Sequence, residues 1–324
     1  MSTRYPRQQI LPGVGTAGQA KLAASSVLVV GTGGLGSPVL TMLAGAGLGR
    51  LIVVDHDRVE ESNLHRQPLF KMHDIGRPKV EAARDALQAY NPEVAIEAEL
   101  ARLGPANAGG LVARADIVVD AADSLAVTYM LSDACQVAAK PLVSASVLGQ
   151  QGYVGAFCGG GPSYRAVFPD MPSTVGSCAT DGVLGSAVGV LGSLQAHLVL
   201  QLVLGLAPSP LGRLVTVDLA RLAFGGFRFD GVPEPAEAAA PFVERDAICP
   251  TDYVVDLRSE QEAPLPVTPT AVRLSNLQIE QVPGMLPRDR RVVLCCRSGV
   301  RAQRAARVLQ AHAFTDLALL AAGG

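Results

Sequence analysis

Two stretches of this 324-residue chain carry residue types that do chemistry, and they lie near its opposite ends. The first is Val29-Val30-Gly31-Thr32-Gly33-Gly34-Leu35-Gly36. Glycines between an apolar run and a helix let backbone amides approach phosphates, and the helix N-terminus favours their charge. Asp55 closes the next apolar run and can accept ribose hydroxyls. These features suit NAD as well as ATP. Asn63, Arg66, Gln67 and Lys79 then place two cations and two amides soon after Asp55. A dinucleotide enzyme needs no such cluster, whereas a triphosphate needs cations along its length. Asp123 follows a further apolar run and could hold Mg2+, although an aspartate there also serves as a helix N-cap. Arg66 and Lys79 would otherwise be solvated surface charges. Lys79 opens a helical pattern, a poor place for a cation unless an anion is near. The second stretch is Cys296-Arg297-Ser298-Gly299-Val300-Arg301, a C-x-x-x-x-R loop between a strand pattern and a helix pattern. Backbone amides converge on the thiol of such a loop, lower its pKa and can hold an anion. Cys295 lies inside the apolar run and reads as packing.

These groups need a frame. Strands are predicted over residues 26–30 and 51–55 with a helix over 35–46 between them, a β-α-β unit. A helix over 79–90 stops at Asn91-Pro92. Further strands are predicted over 94–99, 115–120 and 141–145, with a helix over 125–138. The pattern then changes. Residues 150–157 read as an antiparallel strand, 159–176 as a Gly/Pro-rich loop, and 214–218 with 223–229 as a hairpin pair. The fold class is therefore α/β, with a mixed sheet in a Rossmann-like first domain and a small α/β domain after it. Residues 1–230 form the first domain and 251–324 the second, joined by a Pro- and Ala-rich linker over 231–250. In the second, strands are expected over 254–258 and 292–295 and a helix over 300–311.

Composition narrows the function classes. Hydrophobic residues make up 49% of the chain, enough to bury a substantial core. A net charge of -2 without a long basic run disfavours a nucleic-acid binder. Residues 182–205 are apolar enough to resemble a membrane span. They contain Ser186, Ser193, Gln195, His197 and Gln201 and lack basic flanks, which points to a buried helix at a core or subunit interface. Residues 1–9 have charges but no apolar run, so no secretory signal is expected there. The six cysteines contain no C-x-x-C pair and do not form a secreted disulfide framework, which fits a reducing cytoplasm.

The chain resembles the MoeB/ThiF/HesA-like E1 family, of molybdopterin-synthase adenylyltransferase type. The matching stretches are Arg4-Tyr5-Pro6-Arg7-Gln8, the glycine turn, Asp55-His56-Asp57, Ser62-Asn63-Leu64-His65-Arg66-Gln67, Gly76-Arg77-Pro78-Lys79-Val80, Asp120-Ala121-Ala122-Asp123 and Gly192-Ser193-Leu194-Gln195-Ala196. The resemblance implies ATP-dependent adenylation of the C-terminal glycine of a small ubiquitin-like sulfur carrier ending in Gly-Gly. It places Gly31, Gly33 and Gly34 in the nucleotide turn and Asp55 and Asp57 in the nucleotide site. Asn63, Arg66 and Lys79 fall at the phosphates, Gln67 in the nucleotide site, and Asp123 on Mg2+. Arg7 would reach into the partner subunit's site, which implies a homodimer. Cys178 matches a cysteine that in some relatives joins covalently to the activated carrier, and a buried inert cysteine is the alternative. Many relatives hold a structural zinc in two C-x-x-C pairs. Here Ser163-Tyr164-Arg165-Ala166 stands at the first pair and isolated Cys249 near the second, so no structural zinc is expected. The usual aspartate-asparagine pair is Asp123-Ser124.

The cysteine loop runs from a Cys to an Arg as in protein tyrosine phosphatases but spans six residues where those carry seven, and it resembles the rhodanese family. That resemblance implies a sulfane sulfur carried on Cys296, supplied by a cysteine desulfurase or thiosulfate. Asp256-Leu257-Arg258 and the run from Leu319 to Gly324 also match. The usual Gly-His-Ile-Pro-Gly-Ala stretch is missing between Arg258 and Val292, so the domain reads as a shortened rhodanese. The carrier could belong to molybdopterin synthesis, or be a ThiS-like, tRNA-thiolation or cysteine-synthesis carrier. An NAD-dependent oxidoreductase and a non-catalytic carrier-binding scaffold are the alternatives outside this class.

Overall fold

The computed structural model describes residues 4–172, 182–281 and 283–323. Helices α1 (Pro6–Gln9) and α2 (Gly15–Ala24) lead into β1 (Ser26–Val30). Strands and helices then alternate: α3 (Gly36–Ala46), β2 (Arg50–Asp55), α4 (Lys79–Tyr90), β3 (Ala95–Leu100), α5 (Pro105–Ala113), β4 (Ile117–Asp120), α6 (Leu125–Val137) and β5 (Pro141–Leu148). Val and Leu fill β1, and Ile, Val and Leu most of β2 and β4. Strands of that kind are stable when both sheet faces are covered by helices. They pair in parallel in the order β3-β2-β1-β4-β5. The chain order reverses between β1 and β4. That switch point leaves a crevice beyond the strands' C-terminal ends.

The sheet continues antiparallel. Strand β6 (Gln151–Cys158) pairs along the whole of β5, which carries β5 three residues past its predicted end. After α7 (Tyr164–Val167) and α8 (Gly185–Leu204), the hairpin β7 (Arg213–Asp218) and β8 (Ala223–Arg228) completes an eight-stranded sheet. A second, four-stranded sheet holds β9 (Tyr253–Asp256), β10 (Val272–Arg273), β11 (Val292–Cys296) and β12 (Leu317–Ala321). Its order is β10-β9-β11-β12 and it is parallel throughout, with α9 (Asn276–Gln281) and α10 (Val300–Ala311) as its helices. Residues 241–243 extend this sheet: Val243 N donates to Leu319 O and Leu319 N to Pro241 O, each at 2.8 Å.

Helix α5 lies outside the sequence-predicted elements. Its Gly109-Gly110 pair lowers helix propensity, but Asn107 Oδ1 closes the first turn by accepting from Gly104 N. One apolar core spans both sheets, joining Leu28, Val118 and Leu131 to Val255, Leu294 and Leu309. The opposite face of the first sheet packs Val29, Val53 and Val119 under α3, α4 and α8. Helix α8 is long and apolar enough to cross a membrane. Here it packs on α3 and over β5 and β6, burying Leu191, Ala196 and Val199 and exposing Ser186, Ser193 and His197. Gly192 is where α8 meets α3. A Cβ there would stand 2.4 Å from Pro38 Cγ and 2.8 Å from Leu35 O. Gly192→Ala should therefore force the helices apart and cost about 1–3 kcal/mol of unfolding free energy, read from the urea midpoint.

Candidate active site

The turn after β1 is shaped by close backbone approach. Gly31 has φ +95°, and a Cβ on it would lie 2.6 Å from Ala121 O. A Cβ on Gly36 would lie 2.0 Å from Gly31 O. Only glycine fits at either place. Asp55 at the end of β2 holds the turn: Thr32 N and Oγ1 both donate to its Oδ2 at 2.7 Å. Its Oδ1 accepts from Asp57 N at 2.9 Å, so one carboxylate orders two loops. Gly33 and Gly34 lie under the Asn63–Gln67 segment. Gln67 Nε2 would be 3.6 Å from a Cβ at Gly33, and the Arg66 stem 3.9 Å from one at Gly34.

Lys79 is the first residue of α4 and is almost fully buried. The anion that its position requires is Asp57, whose Oδ2 accepts from Lys79 Nζ at 2.9 Å. Partial burial pushes the Asp57 carboxyl up, but the Lys79 hydrogen bond and charge outweigh it and hold the group below the usual carboxylate range. Asn63 is buried and its Oδ1 accepts from Gln67 Nε2 at 2.8 Å. Gln67 Oε1 is buried with no partner among the described residues. An amide oxygen left this way costs about 1–3 kcal/mol and is a natural acceptor for a ligand's donor. Arg66 is half-buried and donates to Ser62 O at 3.1 Å. The structure thus gathers Gly31, Gly33, Gly34, Asp55, Asp57, Asn63, Arg66, Gln67 and Lys79 at the sheet's switch point.

Asp123 is exposed in the turn before α6. Ser124, not Asp123, occupies the N-cap position, and no side chain caps the helix. The N-cap alternative for Asp123 therefore falls away. Its carboxylate takes no hydrogen bond or ion pair among the described residues. Asp120, unmarked as a site residue in the sequence, is fully buried at the end of β4. Its Oδ2 accepts from Ser144 Oγ at 2.8 Å and its Oδ1 from Ala122 N at 3.3 Å. Burial lifts its pKa to about 6 against those bonds. A carboxylate ending an apolar strand was the signal at Asp55 and applies equally here.

Arg7 lies apart. It is exposed on α1, whose Gln8 Nε2 donates to Ala46 O at 3.0 Å, at the far end of α3 from the glycine turn. Eleven helical residues separate those ends, roughly 16 Å, so Arg7 does not join its own chain's site. Cys178 lies outside the described residues. The Ser163-Tyr164-Arg165-Ala166 segment forms a capped turn. Ser163 Oγ accepts from Ala166 N at 3.1 Å and donates to Glu234 Oε2 at 2.6 Å, while Arg165 grips Asp133. Cys249 is exposed.

Cys296 ends β11 and is fully buried. Its Sγ accepts from Gly299 N at 3.1 Å and Ala302 N at 3.4 Å, the amide convergence that the loop spacing predicts. The Arg301 guanidinium donates to Leu257 O and pairs with Glu262. Cys295 is buried, which pushes its thiol up to about 12 and leaves it inert. Asp256 is desolvated, yet paired Arg258 and the amides of Arg258 and Val267 hold its carboxyl below the usual range. This loop is not remote from the first site. A Cβ at Gly299 would lie 3.4 Å from Ala126 Cβ in the first turn of α6 and 2.9 Å from the Phe242 ring. The Arg102 guanidinium, whose charge also acts on Asp57, lies against Gly323.

The model of the ThiF family matches residues 5–236. The chain belongs to the ThiF family. Among curated relatives, the adenylyltransferase and sulfurtransferase MOCS3 of Bos taurus is 50% identical over 228 residues, covering 69% of this chain and 50% of that protein. The chain thus spans about half the length of the MOCS3 relatives it matches. The sulfur carrier protein adenylyltransferase of Thermus thermophilus is 44% identical over 229 residues, 68% of this chain and 84% of that one. Among solved structures, E. coli MccB aligns with a TM-score of 0.63 at 22% identity over 74% of each chain, a likeness of fold.

The raised Asp120 pKa has a consequence for stability. Between its ordinary value of 3.8 and about 6, the folded chain keeps a proton that the unfolded chain has lost. The contribution is therefore fully present below pH 3.8 and is lost as pH rises through 6. Without nucleotide or Mg2+, Asp120→Asn should remove a decline of roughly 2–3 kcal/mol across that window. Urea midpoints of parent and variant at pH 4.5 and pH 7 check it, and parallel curves would contradict it.

Proposed function

We propose that this ThiF-family chain activates the C-terminal carboxylate of a small ubiquitin-like sulfur carrier with ATP and then delivers sulfur from Cys296. The observation that carries this reading is the gathering of the glycine turn, Arg66 and the Lys79–Asp57 pair beyond the strand ends, with Asp123, whose carboxylate takes no hydrogen bond among the described residues, in the turn after β4. The adenylyltransferase names of the MOCS3 and Thermus relatives support it, as does a structure of E. coli MccB with ATP that shares the fold at a TM-score of 0.56. Nothing among these relatives supports the NAD reading of the glycine turn.

In this reading the turn amides at Gly33 and Gly34 and the N-terminus of α3 receive phosphate oxygens. Asp55 and Asp57 lie at the ribose side, while Asn63, Arg66, Gln67 and Lys79 line the phosphates. The residues fit a cation as well. Asp123 is an exposed carboxylate without a partner among the described residues and would hold Mg2+, which when bound neutralises phosphate charge. A carrier carboxylate oxygen bonds to the α-phosphorus, the bond to pyrophosphate breaks, and an acyl-adenylate remains. The chain's residues act by alignment and charge neutralisation. Arg7, exposed and far from its own site, would serve the partner's site in a homodimer. No structural zinc is required, because Ser163 and Arg165 tie their segment to Glu234 and Asp133.

The unit of residues 251–324 acts as a shortened rhodanese beyond an adenylation unit of 1–230 and a linker of 231–250. The Cys296 thiolate takes a sulfane sulfur from thiosulfate, releasing sulfite, or from a desulfurase persulfide, releasing that thiol. The terminal sulfur then attacks the acyl carbon and AMP leaves. A second thiolate attacks the Cys296 sulfur, forming a disulfide with it and releasing the carrier thiocarboxylate, and an external dithiol reduces that disulfide. Molybdopterin synthesis is the pathway we favour. Free thiols at Cys135, Cys158, Cys249, Cys295 and Cys296 suit a reducing cytoplasm.

Carrier-dependent exchange of labelled pyrophosphate into ATP tests the first half. Asp123→Ala should lower that exchange by about 100-fold or more with the fold intact, and full exchange would remove the Mg2+ role. Cys296→Ser should abolish thiosulfate sulfurtransferase activity while exchange stays within about threefold of the parent. No sulfur transfer by the parent would leave the second sheet a structural element.

A further inference from the structure

Helix α8 touches the His65–Arg66 segment, the glycine turn and the Asp120 turn along one stripe. A Cβ at Gly185 would stand 2.4 Å from His65 O and 3.4 Å from Arg66 Cα. Val188 Cγ1 lies 2.9 Å from the Cβ position of Gly34. Gly192 abuts Leu35 O at the start of α3. Positions 185, 188, 192 and 195 recur at helical steps of three and four, so Gln195 comes next on that face.

Gln195 is the residue on the stripe that packing does not explain. It is fully buried in an apolar helix, where a leucine would fill the same space. An amide buried there costs free energy unless its hydrogen bonds are made. Its Nε2 donates to Asp120 O at 2.6 Å and to Val143 O at 3.0 Å, while its Oε1 is buried with no partner among the described residues. Those carbonyls belong to β4 and β5, where the parallel ladder runs out at the switch point. The other side of the same turn is held by Ser144, whose Oγ donates to Asp120 Oδ2 at 2.8 Å. Ala121 N donates to Val30 O at 2.9 Å, which ties the turn to β1. Asp123 hangs from this fixed backbone and makes no bond of its own among the described residues. Its placement therefore comes from the clamp on Asp120.

We infer that Gln195 is a positioning residue for nucleotide activation: with Ser144 it fixes the Asp120 turn and so sets the Asp123 carboxylate beside the glycine turn. The inference rests on the reading of Asp123 as the Mg2+ carboxylate. A residue that only satisfied the core would change stability and leave the metal response alone. Residues that orient a metal ligand without touching the metal change metal affinity by about 10- to 100-fold when lost.

The test uses the full chain and reads the shift in Tm caused by ATP, with and without Mg2+. ATP alone should shift the parent, Gln195→Leu and Ser144→Ala to similar extents. The Mg2+ concentration giving half of the further shift should rise about tenfold in both variants. Ser144→Ala removes only the bond to the Asp120 carboxylate, so it carries the test if Gln195→Leu does not fold. A parent-like Mg2+ midpoint in the folded variants overturns this inference and leaves the proposed function standing. A parent with no Mg2+-dependent shift overturns the Asp123 assignment and this inference with it.

Discussion

The site depends on how closely the turn after β1 approaches the end of β4. At Gly31 and Gly36 the backbone itself fills the space where side chains would sit, against Ala121 O and Gly31 O. That contact fixes three directions at once. The first turn of α3 is aimed outward from the sheet, Thr32 is turned into Asp55, and Leu35 is presented to Gly192 of α8. A larger residue at any of these glycines would move elements rather than side chains. The neighbouring atoms are backbone or packed helix, and cores respond to added volume by strain. The anion cradle is therefore a by-product of tight packing between β1, β4, α3 and α8.

Charge is arranged around that frame with the same economy. Lys79 stands at the start of α4, where the helix dipole disfavours a cation, and it is almost wholly buried. Asp57 resolves both penalties with one hydrogen bond. Removing Asp57 would strand the Lys79 charge in a nearly buried place, which costs about 3–5 kcal/mol, whereas removing Lys79 would leave a half-exposed carboxylate that water can solvate. In the proposed reading, a triphosphate would offer Lys79 a denser anion than Asp57 does. The exchange frees the Asp57 carboxylate, which lies beside His56 and Asp55. The Lys79–Asp57 pair is thus the contact that a bound triphosphate would have to rearrange.

Much of this was legible from residue types. The helices at Lys79–Tyr90 and Val300–Ala311 match their predicted bounds, because Asn91-Pro92 stops one and Gly299 opens the other. The cluster from Asn63 to Lys79 stood out because cations and amides rarely crowd so soon after a strand's closing aspartate. Other parts depend on what lies across space. Asp120 reads as an ordinary strand end until Ser144 and Gln195 are seen to meet it. Gln195 reads as a polar interruption that argues against a membrane span, and its partners lie 52 and 75 residues away. Helix α5 escaped because two glycines hide its period, and β12 because it is a short apolar run beside the chain's end.

The nearness of the two chemical stretches had no signature in the sequence at all. They meet because the second sheet shares a core with the first and because α10 docks on the loop after α7. Met171 N donates to Gln303 Oε1 at 2.9 Å, and Arg307 pairs with Asp170 at 3.1 Å. A flexible tether would leave the cysteine loop to sample a large volume and raise its encounter rate only through effective concentration. A shared apolar core instead fixes the loop against α6, one turn from Asp123. Fixing it also closes it, since Cys296 is fully buried and Gly299 is covered by Phe242 and Ala126. In the proposed sulfur transfer the thiol would be reached only through a local opening, and local openings follow the least-held segment. Residues 241–243 join the edge of the second sheet by two backbone hydrogen bonds, and Phe242 rides on them. The geometry that shortens the path between the sites therefore places the access problem on that strap.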